Sequence, residues 1–254
     1  MRPKRVLAPT AFLALIFLPT CASRINKEPI AREDATRALR VMMEGDRLLK
    51  AEKDHLALLR YVEASTLNPY SEIIFNKLAV AYARLLRFDQ AKKAVDRAVR
   101  LNPDYASAQN TRGIIFLALQ NRKKAIGSFK RAIHLNPAKP SFYVNLGTAY
   151  LHRGNYEEAR QAFLKARELD PEVFGKEGKI RVSTGPATDS PEQYYQMAKL
   201  FAELGDKESS LNYLSKAFSC GFQDQSRLMS ESAFEKFKQD TDFIRLIQSW
   251  GLQS

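Results

Sequence analysis

The chain has 254 residues, 45% of them apolar and 27% charged, with a formal net charge of +12. Two cysteines are too few for a disulfide framework. The basic residues alternate with acids, as in Ala91-Lys92-Lys93-Ala94-Val95-Asp96-Arg97, which is the pattern of solvated helix faces and excludes a nucleic-acid stripe.

The amino end is read as an address. Arg2, Lys4 and Arg5 precede an apolar run from Val6 to Leu18, too short to cross a bilayer but right for a secretory signal over 1–20. Leu18-Pro19-Thr20-Cys21 resembles a bacterial lipoprotein signal, in which Cys21 becomes the lipidated first residue. Cleavage after Ala22 by the ordinary signal enzyme is the alternative, because Pro19 and Thr20 stand where small residues are usual. Residues 22–37 are expected to form a short polar tether and the start of a first helix.

From there the chain is periodic. Proline recurs every 34 residues at Pro69, Pro103, Pro137 and Pro171. Aligned on it, a small residue falls at Gly45, Ala79, Gly113 and Gly147, and a large one three residues later at Leu48, Tyr82, Phe116 and Tyr150. Alanine follows at Ala57, Ala91, Ala125 and Ala159, then Tyr61, Val95, Phe129 and Phe163, then Ala64, Ala98, Ala132 and Ala166. Spacings of three and four place these side chains on single helix faces. Each unit therefore reads as two amphipathic helices, with Gly113 and Ala125 at the closest helix contact of the third. Proline closes each unit by disfavouring helix in the residue before it.

These residues resemble the tetratricopeptide repeat family. The resemblance implies an all-α, right-handed solenoid of helix-turn-helix units with a C-terminal helical cap: four contiguous units over 38–172, an inserted loop over 173–190, a fifth unit over 191–222 and the cap over 223–254. The insert holds Gly175, Gly178, Gly185 and Pro186, which break helices. Tyr194, Met197, Ala198, Phe201, Ser210, Leu214 and Ala217 repeat the pattern after it. Cys220 is expected to be a small buried residue. Phe234, Phe237, Phe243, Ile244, Leu246, Ile247 and Trp250 recur at helical spacing, with Asp240-Thr241 as the N-cap of the last helix. A solenoid needs its last apolar face covered, and these residues supply the cover.

A glycine-rich phosphate loop, a His-Glu-x-x-His helix, cysteines at metal spacing and a nucleophile elbow are all missing from the sequence. His55, His134 and His152 lie in different units. The expectation is a non-enzymatic chain without cofactor, metal or nucleic-acid partner.

The resemblance also implies that the first helix of each unit lines a concave face. Its candidates are Asn76, Lys77 and Arg84, then Asn110, Thr111 and Ile114, then Asn145, Thr148 and His152, and after the insert Tyr195, Gln196 and Lys199. Asparagine recurs at Asn76, Asn110 and Asn145, which suits the backbone of an extended peptide, while Lys77 and Arg84 suit a carboxylate. The five-residue pattern of carboxylate-clamping members is not reproduced. The expected function is a protein or peptide-binding scaffold in a bacterial envelope, held at the membrane through Cys21. The alternatives are an accessory subunit of an envelope enzyme, or a peptidoglycan or carbohydrate binder.

Overall fold

The computed structural model describes residues 30–174 and 190–251, and within these every regular element is helical. Five hairpins follow one another: α1 (Arg32–Lys50) with α2 (Asp54–Leu67), α3 (Glu72–Arg84) with α4 (Phe88–Leu101), α5 (Ala106–Ala118) with α6 (Arg122–Leu135), α7 (Pro140–Leu151) with α8 (Tyr156–Leu169), and α9 (Pro191–Glu203) with α10 (Lys207–Ser219). In the contiguous hairpins each second helix packs on the next first helix, α2 on α3, α4 on α5 and α6 on α7. That is the solenoid the period implies. The signal segment, Cys21 and the tether through residue 29 lie outside the described residues, as do 175–189 of the insert.

Inside each hairpin a small residue faces a large one, and the sizes are matched pair by pair. A Cβ on Gly45 would stand 2.7 Å from the Tyr61 ring, and one on Gly147 would stand 2.8 Å from the Phe163 ring; Gly113 meets Phe129 closer still. Where the first helix carries alanine instead, at Ala79 and Ala198, the partner shrinks to Val95 and Leu214. All five partners are fully buried, worth about 1.5–3 kcal/mol each for the larger side chains. It is thus the Phe129 ring that fills the space over Gly113, with Ala125 buried alongside. In the fifth hairpin Ser210 replaces the buried alanine and donates its hydroxyl to the Ala198 carbonyl at 2.9 Å, so the extra polar group is satisfied.

Two turns are repeated with equal regularity. Between the helices of a hairpin one residue takes left-handed backbone: Glu52, Leu86, Gln120, Gly154 and Gly205. The next amide then reaches back five residues, as Arg87 to Tyr82 at 2.9 Å and Asn121 to Phe116 at 2.8 Å, closing the helix end. Between hairpins, the residue before each proline is extended and its side chain accepts the amide two residues on: Asn68 from Tyr70, Asn102 from Asp104, Asn136 from Ala138 and Asp170 from Glu172, at 3.0–3.3 Å. The Asn or Asp is therefore as much a part of the turn as the proline.

The fourth and fifth hairpins join differently. Phe174 sits edge-on to both Phe163 and Phe201, with ring centroids 5.8 Å and 6.1 Å away, and Val173 is buried beside them. Residues 173 and 174 accordingly belong to the core and not to the inserted loop, because their apolar side chains bridge the two hairpins. Cys220 is a half-buried free thiol rather than a buried one. After Gly221 (φ +99°) come α11 (Gln225–Ser230), a 3₁₀ turn (Ser232–Phe237) and α12 (Thr241–Ser249). Leu228, Phe234, Phe243 and Ile247 from this cap are buried against α9 and α10. Asp240 caps α12, accepting from the amides of Asp242 and Phe243.

Candidate functional site: the concave groove

Each first helix turns its small residue toward the second helix, and its opposite face forms the groove. The groove stripe recurs in register. Leu39, Ile73, Ser107, Ser141 and Glu192 occupy one level, and Met43, Lys77, Thr111, Asn145 and Gln196 the next, one helical turn on. Asp46, Val80, Ile114, Thr148 and Lys199 follow, then Lys50, Arg84, Ala118, His152 and Glu203. Contacts between first helices run along the stripe: Lys77 Nζ donates to Asp46 Oδ1 at 2.7 Å within it, and Asn145 Nδ2 donates to Oδ1 of Asn110, one position beside it, at 2.8 Å.

The structure redistributes the residues nominated from sequence. Tyr195 is completely buried and lines nothing; its ring stacks on Phe222 at 4.5 Å with the Arg227 guanidinium 4.5 Å from its centre. Burial, then the nearby Glu231 carboxylate, pushes its phenol up to about 12. The reason is register, since Tyr195 stands at the level of the buried Val144 and not on the stripe. Asn76 and Thr111 are also buried, and so is Thr148, whose hydroxyl is turned back to the Val144 carbonyl at 2.9 Å. The asparagine ladder is staggered: Asn110 follows Asn76 at the same level, whereas Asn145 lies one residue further on. Asn110 and Asn145 still meet, and both are half-buried.

The cations are already engaged. Lys77 pairs with Asp46 at 2.7 Å, Arg84 with Asp54 at 2.9 Å and Lys199 with Glu231 at 2.8 Å. Partly exposed pairs of this kind contribute about 0–1 kcal/mol. Trading one for a partner's carboxylate exchanges near equals, so these residues do not form a free carboxylate clamp.

Near the fifth hairpin the groove deepens into a cleft of about 300 Å³ between Leu151, Tyr156, Glu157 and Arg160 on one side and Gln196, Lys199, Glu203 and Glu231 on the other. Arg160 Nε reaches Glu203 at 2.6 Å across it. Below it Arg227 holds Glu192 with two hydrogen bonds of 2.8 Å. Those bonds outweigh burial and keep the Glu192 carboxyl below its usual range. Burial raises Glu231, but the Lys199 hydrogen bond and charge prevail and its carboxyl too lies low. His152 lies on the stripe, half-buried, at the same repeat level as Glu203.

What residue-by-residue nomination missed is the apolar part. Leu39 is 53% exposed, Met43 49%, Ile73 41% and Ile114 43%, all on the stripe of hairpins one to three. The signal was present in two of the levels: the first runs from Leu39 and Ile73 to Ser141 and Glu192, and the second from Met43 to Asn145 and Gln196. A second exposed apolar strip, Leu56, Leu59 and Val62, lies on the outer face of α2, where the corresponding residues of α4 are Gln90, Lys93 and Asp96. Among the described residues there is no cluster of three or more metal-ligating side chains, and no helix long and apolar enough to cross a membrane.

Family models of the tetratricopeptide repeat match residues 76–137, 110–173 and 192–219. RNA polymerase II-associated protein 3 of Xenopus laevis is 32% identical over 103 residues, which is 41% of this chain and 16% of that protein. The chain thus spans about a sixth of the length of the curated relatives it matches. A solved structure of Pseudomonas aeruginosa pilF aligns with a TM-score of 0.56 at 18% identity, covering 87% of this chain and 92% of its own. The first tetratricopeptide domain of Spaghetti, bound to an HSP90 peptide, aligns over 48% of this chain and 98% of its own with a TM-score of 0.46 at 27% identity. Matched repeats, hairpin packing and turn chemistry agree, and the chain belongs to the tetratricopeptide repeat family.

Proposed function

We propose that this chain is a protein-interaction scaffold of a bacterial cell envelope, carried at the membrane by lipid on Cys21 and holding a segment of another protein in its concave groove. The observation that carries the reading is the groove itself: one stripe of side chains, exposed or half-buried except at Thr111 and Thr148, continues across hairpins that are otherwise matched in their interiors. Interior packing needs no such stripe, whereas recognition of an extended segment does. The basic start of the chain and the apolar run before Cys21 support export. No step of catalysis is assigned to any residue. An accessory role beside an envelope enzyme is the second reading, favoured by the polar cleft at the fifth hairpin, which is built from a different chemistry than the rest of the groove.

Replacing Cys21 with serine tests the anchor. The protein is expected to move from the membrane to the soluble fraction, and the wild-type amino terminus to carry acyl mass. Unchanged fractionation with an unmodified terminus rejects it. Affinity capture from solubilised envelopes, repeated with Ile73→Arg in the groove and Lys93→Glu on the outer face, tests the scaffold. The partner should be lost with the first variant and kept with the second.

A further inference from the structure

The groove has two chemistries, and they select different partners. Across hairpins four and five and the cap its charges answer one another, Arg160 with Glu203 and Lys199 with Glu231. In hairpins one to three the nominated cations are likewise answered, Lys77 by Asp46 and Arg84 by Asp54. What is left open there is apolar: Leu39, Met43, Ile73 and Ile114. Lys50 stands exposed at the rim of the same stripe, one cation where a clamp needs several converging donors.

At the edge of this apolar stretch the Asn145–Asn110 bond uses one amide donor and one acceptor. The Asn110 amide hydrogens and the Asn145 carbonyl remain to serve a backbone, which offers donor and acceptor in alternation. Adjacent first helices are spaced about 8–10 Å apart, so three of them span about 20 Å. An extended chain covers that in about six residues, with alternate side chains on one face.

From this we propose that hairpins one to three hold an extended, uncharged segment that presents apolar side chains at alternate positions, with its backbone toward Asn110 and Asn145. The proposal rests on the reading of the groove as a partner site and names the chemistry of the partner. It departs from capture of an acidic tail or a terminal carboxylate.

The test uses the chain purified with Cys21→Ser, which removes any acyl group and leaves every described residue intact. Two fluorescein-labelled octapeptides are compared by anisotropy: one alternating leucine and serine with both ends blocked, the other rich in glutamate with a free carboxylate. The apolar peptide should bind about tenfold or more tighter than the acidic one, and Met43→Asp or Ile73→Asp should each weaken it by about tenfold or more, the effect of losing one buried apolar side chain. Leu59→Asp, which changes a still more exposed leucine on the outer face of α2, should leave binding within about twofold. Thermal melts of each variant separate lost binding from lost folding.

Tighter binding of the acidic peptide, abolished by Lys77→Ala or Arg84→Ala, overturns the proposal and leaves the scaffold reading standing. Equal loss from Leu59→Asp, or no binding of either peptide, overturns it as well. If the apolar peptide behaves as expected while no envelope partner is captured through the groove, the proposal holds and the scaffold reading fails.

Discussion

Hairpins one to three and the fifth hairpin with its cap are built on one interior and present two surfaces. Inside, the same size rule operates throughout, Gly113 under Phe129 in one and Ala198 under Leu214 in the other. Outside, the first stripe level runs Leu39, Ile73, Ser107, Ser141, Glu192, and the groove passes from apolar to charged. The interior fixes the hairpin and cannot vary without a compensating change. The stripe is released from that constraint, so its side chains carry recognition. The difference teaches where to look in a repeat protein: what repeats is fold, and what drifts along the repeat is function.

The largest expected effects concern the shared interior. Phe129→Ala in the third hairpin should cost about 3–5 kcal/mol and Leu214→Ala in the fifth about 2–5, because both leave cavities in fully buried sites. Denaturant melts check this, and a nearly neutral Leu214→Ala would show that the fifth hairpin is not packed by the same rule. Gly113→Ala should cost about 1–3 kcal/mol by driving a methyl into the Phe129 ring. Pairing it with Phe129→Leu, the combination found at Ala198 and Leu214, should cost less than the two single changes summed; strict additivity would break the size rule.

Acid should separate the two halves. Glu192 and Glu231 have folded pKa values below their usual range, so their contribution to stability is complete above the ordinary carboxylate pKa, about 4.3. It is lost as pH falls through the lower folded values. Trp250, the single tryptophan, lies in the cap with its ring centroid 6.0 Å from Phe218 and reports on this region alone. Its fluorescence should change before the helical signal of the whole chain as pH falls below about 4; coincident changes would mean that the cap has no acid-sensitive contacts of its own.

The smallest effect is expected at Leu86, held at φ +57° and exposed to solvent. Leu86→Gly relieves about 1–2 kcal/mol of left-handed backbone cost, less about 0.4–1 for the greater freedom of the unfolded chain. A rise in melting temperature of a few degrees is expected. A fall would mean that the leucine makes a contact that matters.

Much of this architecture was legible in the residues. The period, the small and large positions, the proline stop and the Asp240 cap all depend on neighbours in the chain or on one repeat vector, and all are found. The role of Asn68, Asn102, Asn136 and Asp170 was legible only as a dipeptide, because the accepted amide lies two residues on and past the proline. The groove was harder. Tyr195 is buried because a one-residue offset turns a side chain through about 100° on a helix. Lys77 and Arg84 meet acids from the preceding hairpin, and no spacing within a repeat shows which acid will lie opposite. The bridging of hairpins four and five by Phe174 depends on a junction that occurs once, so periodicity had nothing to say about it.

The central claim, that partners are held on the first-helix stripe, is tested most directly by placing the photo-crosslinking residue p-benzoylphenylalanine in the full-length chain within the cells that make it, at position 73 in the groove and, separately, at position 93 on the outer face of α4. The account predicts a single adduct from position 73, seen again from position 114, and none from position 93. Adducts of equal yield from 73 and 93, or an adduct from 93 alone, would contradict it.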